Sequence, residues 1–315
     1  MLERLQAETF NTTLRERLLD PRSAPQPGEV LLYWLGQAGF IVEFDGFRML
    51  IDPYLSDSLA EKYRGTKFPH TRMMAAPILP EELDRLDVVL CTHRHTDHMD
   101  PGTLQPIAQR FPNARFVVPA AVVDEAITRC GVGIDRLIPV NARERTEILP
   151  GCFVSPIASA HEALDMDANG HYPWLGYVLD AGSVRLYHSG DCVPYPGLEE
   201  ALADYAPDVA LLPVNGRDAQ RSGNGVPGNF TLDEAVALAR NGGARAMIAH
   251  HYGLFDFNTV PAEVIELRIA QEKAAGFEIV RAQTGCAWRV TCDVSGSYAR
   301  TFRYKKAHIK TVPPS

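Results

Sequence analysis

The run Thr92-His93-Arg94-His95-Thr96-Asp97-His98 places three imidazoles and a carboxylate within six residues, directly after the apolar stretch Val88-Val89-Leu90-Cys91. Imidazole and carboxylate together suit a divalent transition metal. His93 and His95 lie two apart on an extended turn, so both rings can face one ion. Asp97 and His98 follow and can face a neighbouring point. Two side chains do not complete a coordination sphere of four or more, so each ion needs ligands from distant sequence.

Candidates for those ligands recur just past apolar strands. His161 follows Ile157-Ala158-Ser159-Ala160, Asp191 ends Tyr187-His188-Ser189-Gly190-Asp191, and His250-His251 follows Met247-Ile248-Ala249. Either His250 or His251 can serve. The register of His188 points away from Asp191 and suggests a structural role, while His70 and His171 fall in polar loops. Asn215-Gly216-Arg217-Asp218 follows another apolar strand and should reach the same rim. Asn215 and Arg217 are therefore candidate substrate contacts, and Arg217 with Arg221 could clamp an anionic group in bidentate fashion. Arg64, Lys67 and Arg72, in the long polar segment 55–80, are further cationic candidates.

These residues need a scaffold that gathers strand ends. Alternation and turn residues predict strands at 30–35, 40–44 and 48–51, with Asp45-Gly46 as a hairpin turn. A β/α alternation follows: strand 86–91, helix 102–110, strand 116–118, helix 121–129 and strand 136–139. Strands at 152–158, 176–180 and 184–188 come next. The remainder returns to α/β, with strands at 209–213, 246–250, 278–280 and 288–292 and helices at 232–240 and 261–275. Strand-rich halves each followed by helices predict an α/β fold of two sheets packed face to face with helices outside. Residues 1–20 read as an amphipathic helix ended by the segment Pro21 to Pro27. The expected organisation is an N-terminal helical arm at 1–28, a catalytic domain at 29–292 and a C-terminal tail at 293–315.

A chain of 315 residues, 46% hydrophobic and 22% charged, can bury a large core. Its net charge of -8 argues against a nucleic-acid surface. No apolar run approaches the ~20 residues that span a bilayer. The N-terminus lacks the apolar region of a secretory signal, and the six scattered Cys form no CxxC pair, which together suggest a cytoplasmic protein with reduced thiols.

The order His-x-His-x-Asp-His, then His161, Ser-Gly-Asp191 and His251 resembles the metallo-β-lactamase-fold hydrolases. The flanking Trp34-Leu35-Gly36, Asp52, Thr92 to Asp100, Tyr187 to Asp191 and His250-His251 are most similar to the branch containing L-ascorbate-6-phosphate lactonase. The resemblance covers about Val30 to Trp288 and implies a four-layer αββα sandwich. By position it implies that His93, His95 and His161 bind one metal. Asp97, His98 and His251 would bind a second, with Asp191 bridging and Asp52 as a buried acid orienting a ligand histidine. Lactonase-branch members often lack a clear His where this chain has His161.

The implied activity is hydrolysis by a metal-activated hydroxide, with Asp97 orienting the nucleophile and taking its proton. Two divalent ions are expected, zinc or manganese first and iron third. The expected substrate is a small anionic molecule such as a sugar-phosphate-like lactone. A phosphodiesterase on the same site is the alternative, and a non-catalytic metal-binding sensor ranks behind both. No nucleic acid or membrane partner is expected, and a homo-oligomer is compatible with the sequence.

Overall fold

A computed structural model describes residues 2–292 and 308–310. In chain order its strands begin with β1 (Leu2–Thr9), β2 (Glu29–Gly36), β3 (Gly39–Phe44), β4 (Phe47–Ile51), β5 (Val88–Leu90), β6 (Arg115–Pro119) and β7 (Leu137–Val140). There follow β8 (Glu144–Leu149), β9 (Cys152–Ala158), β10 (Leu175–Ala181), β11 (Val184–His188), β12 (Val209–Pro213), β13 (Ala246–His250), β14 (Glu278–Arg281), β15 (Cys286–Cys292) and β16 (His308–Lys310). The helices are α1 (Leu14–Leu19), α2 (Ser58–Lys62), α3 (Pro101–Arg110), α4 (Val123–Cys130), α5 (Leu198–Ala203), α6 (Ala219–Ser222), α7 (Leu232–Asn241) and α8 (Ala262–Ala274).

The strands form two eight-stranded mixed sheets, ordered β1-β15-β2-β3-β4-β5-β6-β7 and β14-β13-β12-β11-β10-β9-β8-β16. Period-two burial shows how they stack. In β2, Val30, Leu32 and Trp34 enter the core between the sheets, whereas Leu31, Tyr33 and Leu35 join a second cluster with Leu104 and Ile107 of α3 and Ala126 of α4. Both faces of the strand are therefore covered, one by the other sheet and one by helices. Val88 and Leu90 of β5 face inward and Val89 outward in the same way. The result is the two-sheet α/β sandwich with outer helices that the sequence predicts.

Strand direction decides where the site forms. β11, β12 and β13 run parallel, and β9 runs in their sense because two antiparallel pairings through β10 separate it from β11. The segments after β9, β11 and β13 therefore leave the second sheet at one edge. The segment after β5 arrives there from the first sheet. Tyr177 of β10 donates its hydroxyl to the Cys91 carbonyl at 2.7 Å, and the Leu175 amide donates to the Thr92 carbonyl at 3.1 Å. These bonds fix the histidine-rich turn against the second sheet.

The helical arm expected at the N-terminus is corrected. Residues 2–9 form β1, which pairs antiparallel with β15 from Leu2↔Cys292 to Thr9↔Cys286, and helical structure is confined to the six residues of α1 and a single 3-10 turn at Pro21–Ser23. Leu5 is buried by that pairing, and a polar edge strand of this kind is specified by its distant partner more than by its own propensity. The strand β8, also absent from the sequence reading, pairs with β9. Of the expected tail 293–315, residues 308–310 pair in parallel with Glu144–Thr146, and the rest lies outside the described residues.

Candidate metal centre

The histidine-rich segment leaves β5 as a tight turn in which the amides of His98 and Met99 both donate to the His95 carbonyl, at 3.0 and 2.7 Å. Helix α3 begins only at Pro101, so Asp97 and His98 sit in the turn before it rather than in its first turn. Asp100 caps the helix by accepting from the Gly102 amide, and its carboxylate also takes hydroxyl bonds from Ser56, Ser58 and Thr103. That clamp holds the base of the turn rigid.

Ligand-type atoms of His93, His95, His161 and Asp191 lie within 4.8 Å of one another, and so do those of Asp97, His98, Asp191 and His251. Asp191 belongs to both groups through different oxygens. Its Oδ1 is 3.2 Å from Nε2 of His98 and 3.2 Å from Nε2 of His251, whereas Oδ2 is 3.7 Å from Nε2 of His161. Oδ2 of Asp97 stands 3.8 Å from Nε2 of both His98 and His251. His93, His98, His161, Asp191 and His251 are buried, while His95 and Asp97 are partly open to a cleft.

The supporting bonds leave the donor atoms ready for a cation. Asp52 accepts from the Thr92 amide at 2.7 Å, from the Thr92 hydroxyl at 2.6 Å and from Nδ1–H of His98 at 2.7 Å. The Thr92 hydroxyl has given its proton to Asp52, so it accepts from Nδ1–H of His93 at 3.0 Å. Both rings therefore direct Nε2 inward. Nε2 of His93, His98 and His251 and Oδ1 of Asp191 are buried without any hydrogen-bond partner. Buried polar atoms in such number are costly unless something binds them, and a pair of divalent cations fits this donor set.

For His93 and His95 the electrostatics agree. Burial, reinforced by the neighbouring His98 and His95 rings, pushes His93 well below the usual histidine range. Burial and His161 bring His95 down to about 4. Both rings are thus neutral at physiological pH, as ligands must be. His98 moves the other way. Against its burial penalty, the carboxylates of Asp191, Asp52 and Asp97 hold it well above the ordinary value. Asp191 is likewise held well below the carboxylate range, against burial, by His98 and His251.

His250 and His251 separate cleanly. The His251 backbone is left-handed at φ 62°, and its ring joins the cluster. The His250 ring instead points into the core, stacked on His188 at 5.0 Å and edge-on to Phe40 at 5.3 Å. His188 is structural, bonded through Nε2 to the Ala38 carbonyl and through Nδ1 to the Gly190 amide.

The candidate substrate contacts are not brought to the cleft. Arg217 forms a two-pronged ion pair with Glu234 at 2.6 and 2.7 Å, and Asn215 is buried between Asn258 and Asn229. Arg221 is tied to Asp218 and Asn258, and Arg72 braces the carbonyls of Tyr54, Ser56 and Met74. The wall above the cluster comes from Lys62, Tyr63, His70, Arg129, Val226 and Phe255. His70 stacks on Tyr63 at 4.4 Å and meets Phe255 edge-on at 5.0 Å. Trp174 closes the other side, its ring 4.6 to 5.0 Å from those of His93, His95 and His161. Nothing in their sequence spacing marks these residues as part of a cleft. For Lys62, Tyr63 and His70 the one signal was the length of segment 55–80.

Sequence comparison matches residues 47–252 to the β-lactamase superfamily domain. The chain belongs to the β-lactamase superfamily. Within this superfamily it is 30% identical over 226 residues to a UPF0173 metal-dependent hydrolase of Methanopyrus kandleri, covering 70% of this chain and 84% of the relative. It is therefore a member of that metal-dependent hydrolase family. An N-acyl-phosphatidylethanolamine-hydrolyzing phospholipase D of Caenorhabditis elegans is 24% identical over 276 residues, 82% of this chain and 75% of the relative. A superfamily fold of the same kind is seen in the metallo hydrolase Igni18 of Ignicoccus hospitalis, with a TM-score of 0.62 at 21% identity, covering 84% of this chain and all of that one. No described helix is long and apolar enough to cross a membrane.

Proposed function

We propose that this metal-dependent hydrolase works with two divalent ions, one held by His93, His95 and His161 and the other by Asp97, His98 and His251, with Asp191 shared. The observation that carries this reading is the division of Asp191, whose two oxygens face the two histidine groups separately. When bound, such ions supply hydroxide at neutral pH and offset charge that develops on the electrophile. Donors of histidine and carboxylate without thiolate favour zinc or manganese, with iron next.

The chain's own residues supply the rest. Oδ2 of Asp97 faces His98 and His251, which leaves Oδ1 to orient the attacking water and receive its proton. Asp52 and Thr92 keep His98 and His93 in the tautomer with free Nε2. Trp174 shields the first group from bulk water. Lys62 gives the cleft wall positive charge beside the aromatic ring of Tyr63, while Arg129 is tied to Glu125 at 2.8 Å.

For substrate, the reading is a small anionic lactone, supported by the likeness to the lactonase branch and the cationic cleft wall. A phosphodiester is the second reading. It is favoured by the relationship to the phospholipase D, whose chemistry is phosphodiester hydrolysis. The buried cysteines Cys91, Cys130, Cys152, Cys192 and Cys286, none of them in a disulfide, fit a reducing cytoplasm. Metal analysis of the purified protein, followed by turnover of lactones and bis-p-nitrophenyl phosphate, tests all of this. Two equivalents of metal and turnover lost in His95→Ala are expected. Full turnover by His95→Ala stripped of metal would overturn the mechanism.

A further inference from the structure

Gln37 stands in the turn between β2 and β3, at the rim where the candidate ligands gather, with a left-handed backbone at φ 49°. It is fully buried and lines the cleft. Its backbone carbonyl accepts from the Trp34 indole at 2.9 Å and from the His251 amide at 2.9 Å. Those two bonds belong to the turn and need no particular side chain.

The side chain does something else. Nε2 donates to Oδ2 of Asp97 at 2.9 Å, the oxygen that faces His98 and His251. The opposite amide orientation would set a carbonyl oxygen against a carboxylate, so Asp97 itself fixes which way the amide points. The cost of that choice is visible, because Oε1 is left buried with no donor. A methionine would fill similar space without burying an unmatched acceptor. The polar group is therefore explained by what it holds and not by packing.

We propose that Gln37 is a positioning residue for the second metal group, fixing the Asp97 carboxylate so that Oδ2 faces the point shared with His98, His251 and Asp191. Its free Oε1 then offers an acceptor to an O–H or N–H in the cleft. The inference rests on the proposed ligand role of Asp97. Partners that orient metal ligands typically account for 10–100-fold in metal affinity.

The test is titration of the chelator-stripped full chain with zinc against a chromophoric chelator, repeated with cobalt to read the visible spectrum of each site. Gln37→Met keeps both backbone bonds, so its thermal midpoint should stay close to that of the parent. Its first equivalent should bind as in the parent, while the second weakens 10–100-fold and its cobalt bands change. Gln37→Asn keeps the amide but shortens its reach and should show the same selective loss, which serves if Gln37→Met does not fold. Parental affinity and spectra for both equivalents in either folded variant would overturn the proposal and reduce Gln37 to a turn residue. If the parent binds no second equivalent, the two-metal reading fails first and this inference with it.

Discussion

Oδ2 of Asp52 lies 2.7 Å from Nδ1 of His98, and neither side chain is exposed to solvent. The same carboxylate takes two bonds from Thr92, so it accepts three donors and offers none. Asp52→Asn isolates this role. The residue sits at φ 44°, a conformation asparagine tolerates well, so the backbone is not newly strained. The amide, however, must aim a donor at one of three existing donors. Zinc affinity, read by chelator competition, should fall about 10–100-fold. Unchanged affinity would show that Asp52 only fills space.

Gly190 precedes the shared Asp191 at φ 60°, and a Cβ there would lie 2.8 Å from both Cβ and Oγ1 of Thr92 and 2.9 Å from the Leu175 carbonyl. Gly190→Ala therefore combines left-handed strain of about 1–2 kcal/mol with a clash that no flexible side chain can relieve. Because Thr92 relays Asp52 to His93, the damage should reach the metal centre as well. A lower unfolding midpoint together with weaker zinc binding is the expected pair of results. Loss of stability with unaltered zinc binding would separate Thr92 from the centre.

The seven candidate ligands could be read from sequence because each is local in one of two senses. Four occupy a single turn, and His161, Asp191 and His251 each follow a short apolar strand whose periodicity is clear. Strand direction then does the assembly, and β9, β11, β12 and β13 were all legible as apolar runs. What escaped notice depended on distant partners. The strand β1 is polar along one side and owes its conformation to β15. Gln37 and His70 reach the cleft only through loop conformations with positive φ. Arg217 looked available because its partner Glu234 is supplied by α7, seventeen residues later.

That ion pair makes a prediction of its own. Arg217 is partly exposed and engaged with Glu234, away from the cleft. Arg217→Ala should leave KM and kcat for any substrate found within about twofold of the parent. Its cost in stability should stay below ~1 kcal/mol, as for other surface pairs. Lys62→Ala, at the cleft wall, should instead raise KM for anionic substrates. The reverse pattern would restore Arg217 as a substrate clamp.

The last prediction concerns pH in protein stripped of metal. Burial and His161 lower His95 from 6.5 to about 4 in the folded state. Between those values the unfolded chain carries the proton and the folded chain does not. Stability is therefore full above about pH 6.5 and is lost as pH falls toward 4, by up to ~1.4 kcal/mol per pH unit for one such group. His93 shifts the same way, through burial and its histidine neighbours, and steepens the loss. His98 has the opposite sign. Its raised value contributes stability below its unfolded pKa that fades as pH climbs through the folded one, so it acts on the alkaline side. Thermal unfolding of the stripped protein at pH 7 and pH 5 should show a marked drop, and His95→Ala should show a smaller one. Equal drops in the two proteins would mean that His95 is already protonated in the fold at pH 5, contrary to its surroundings.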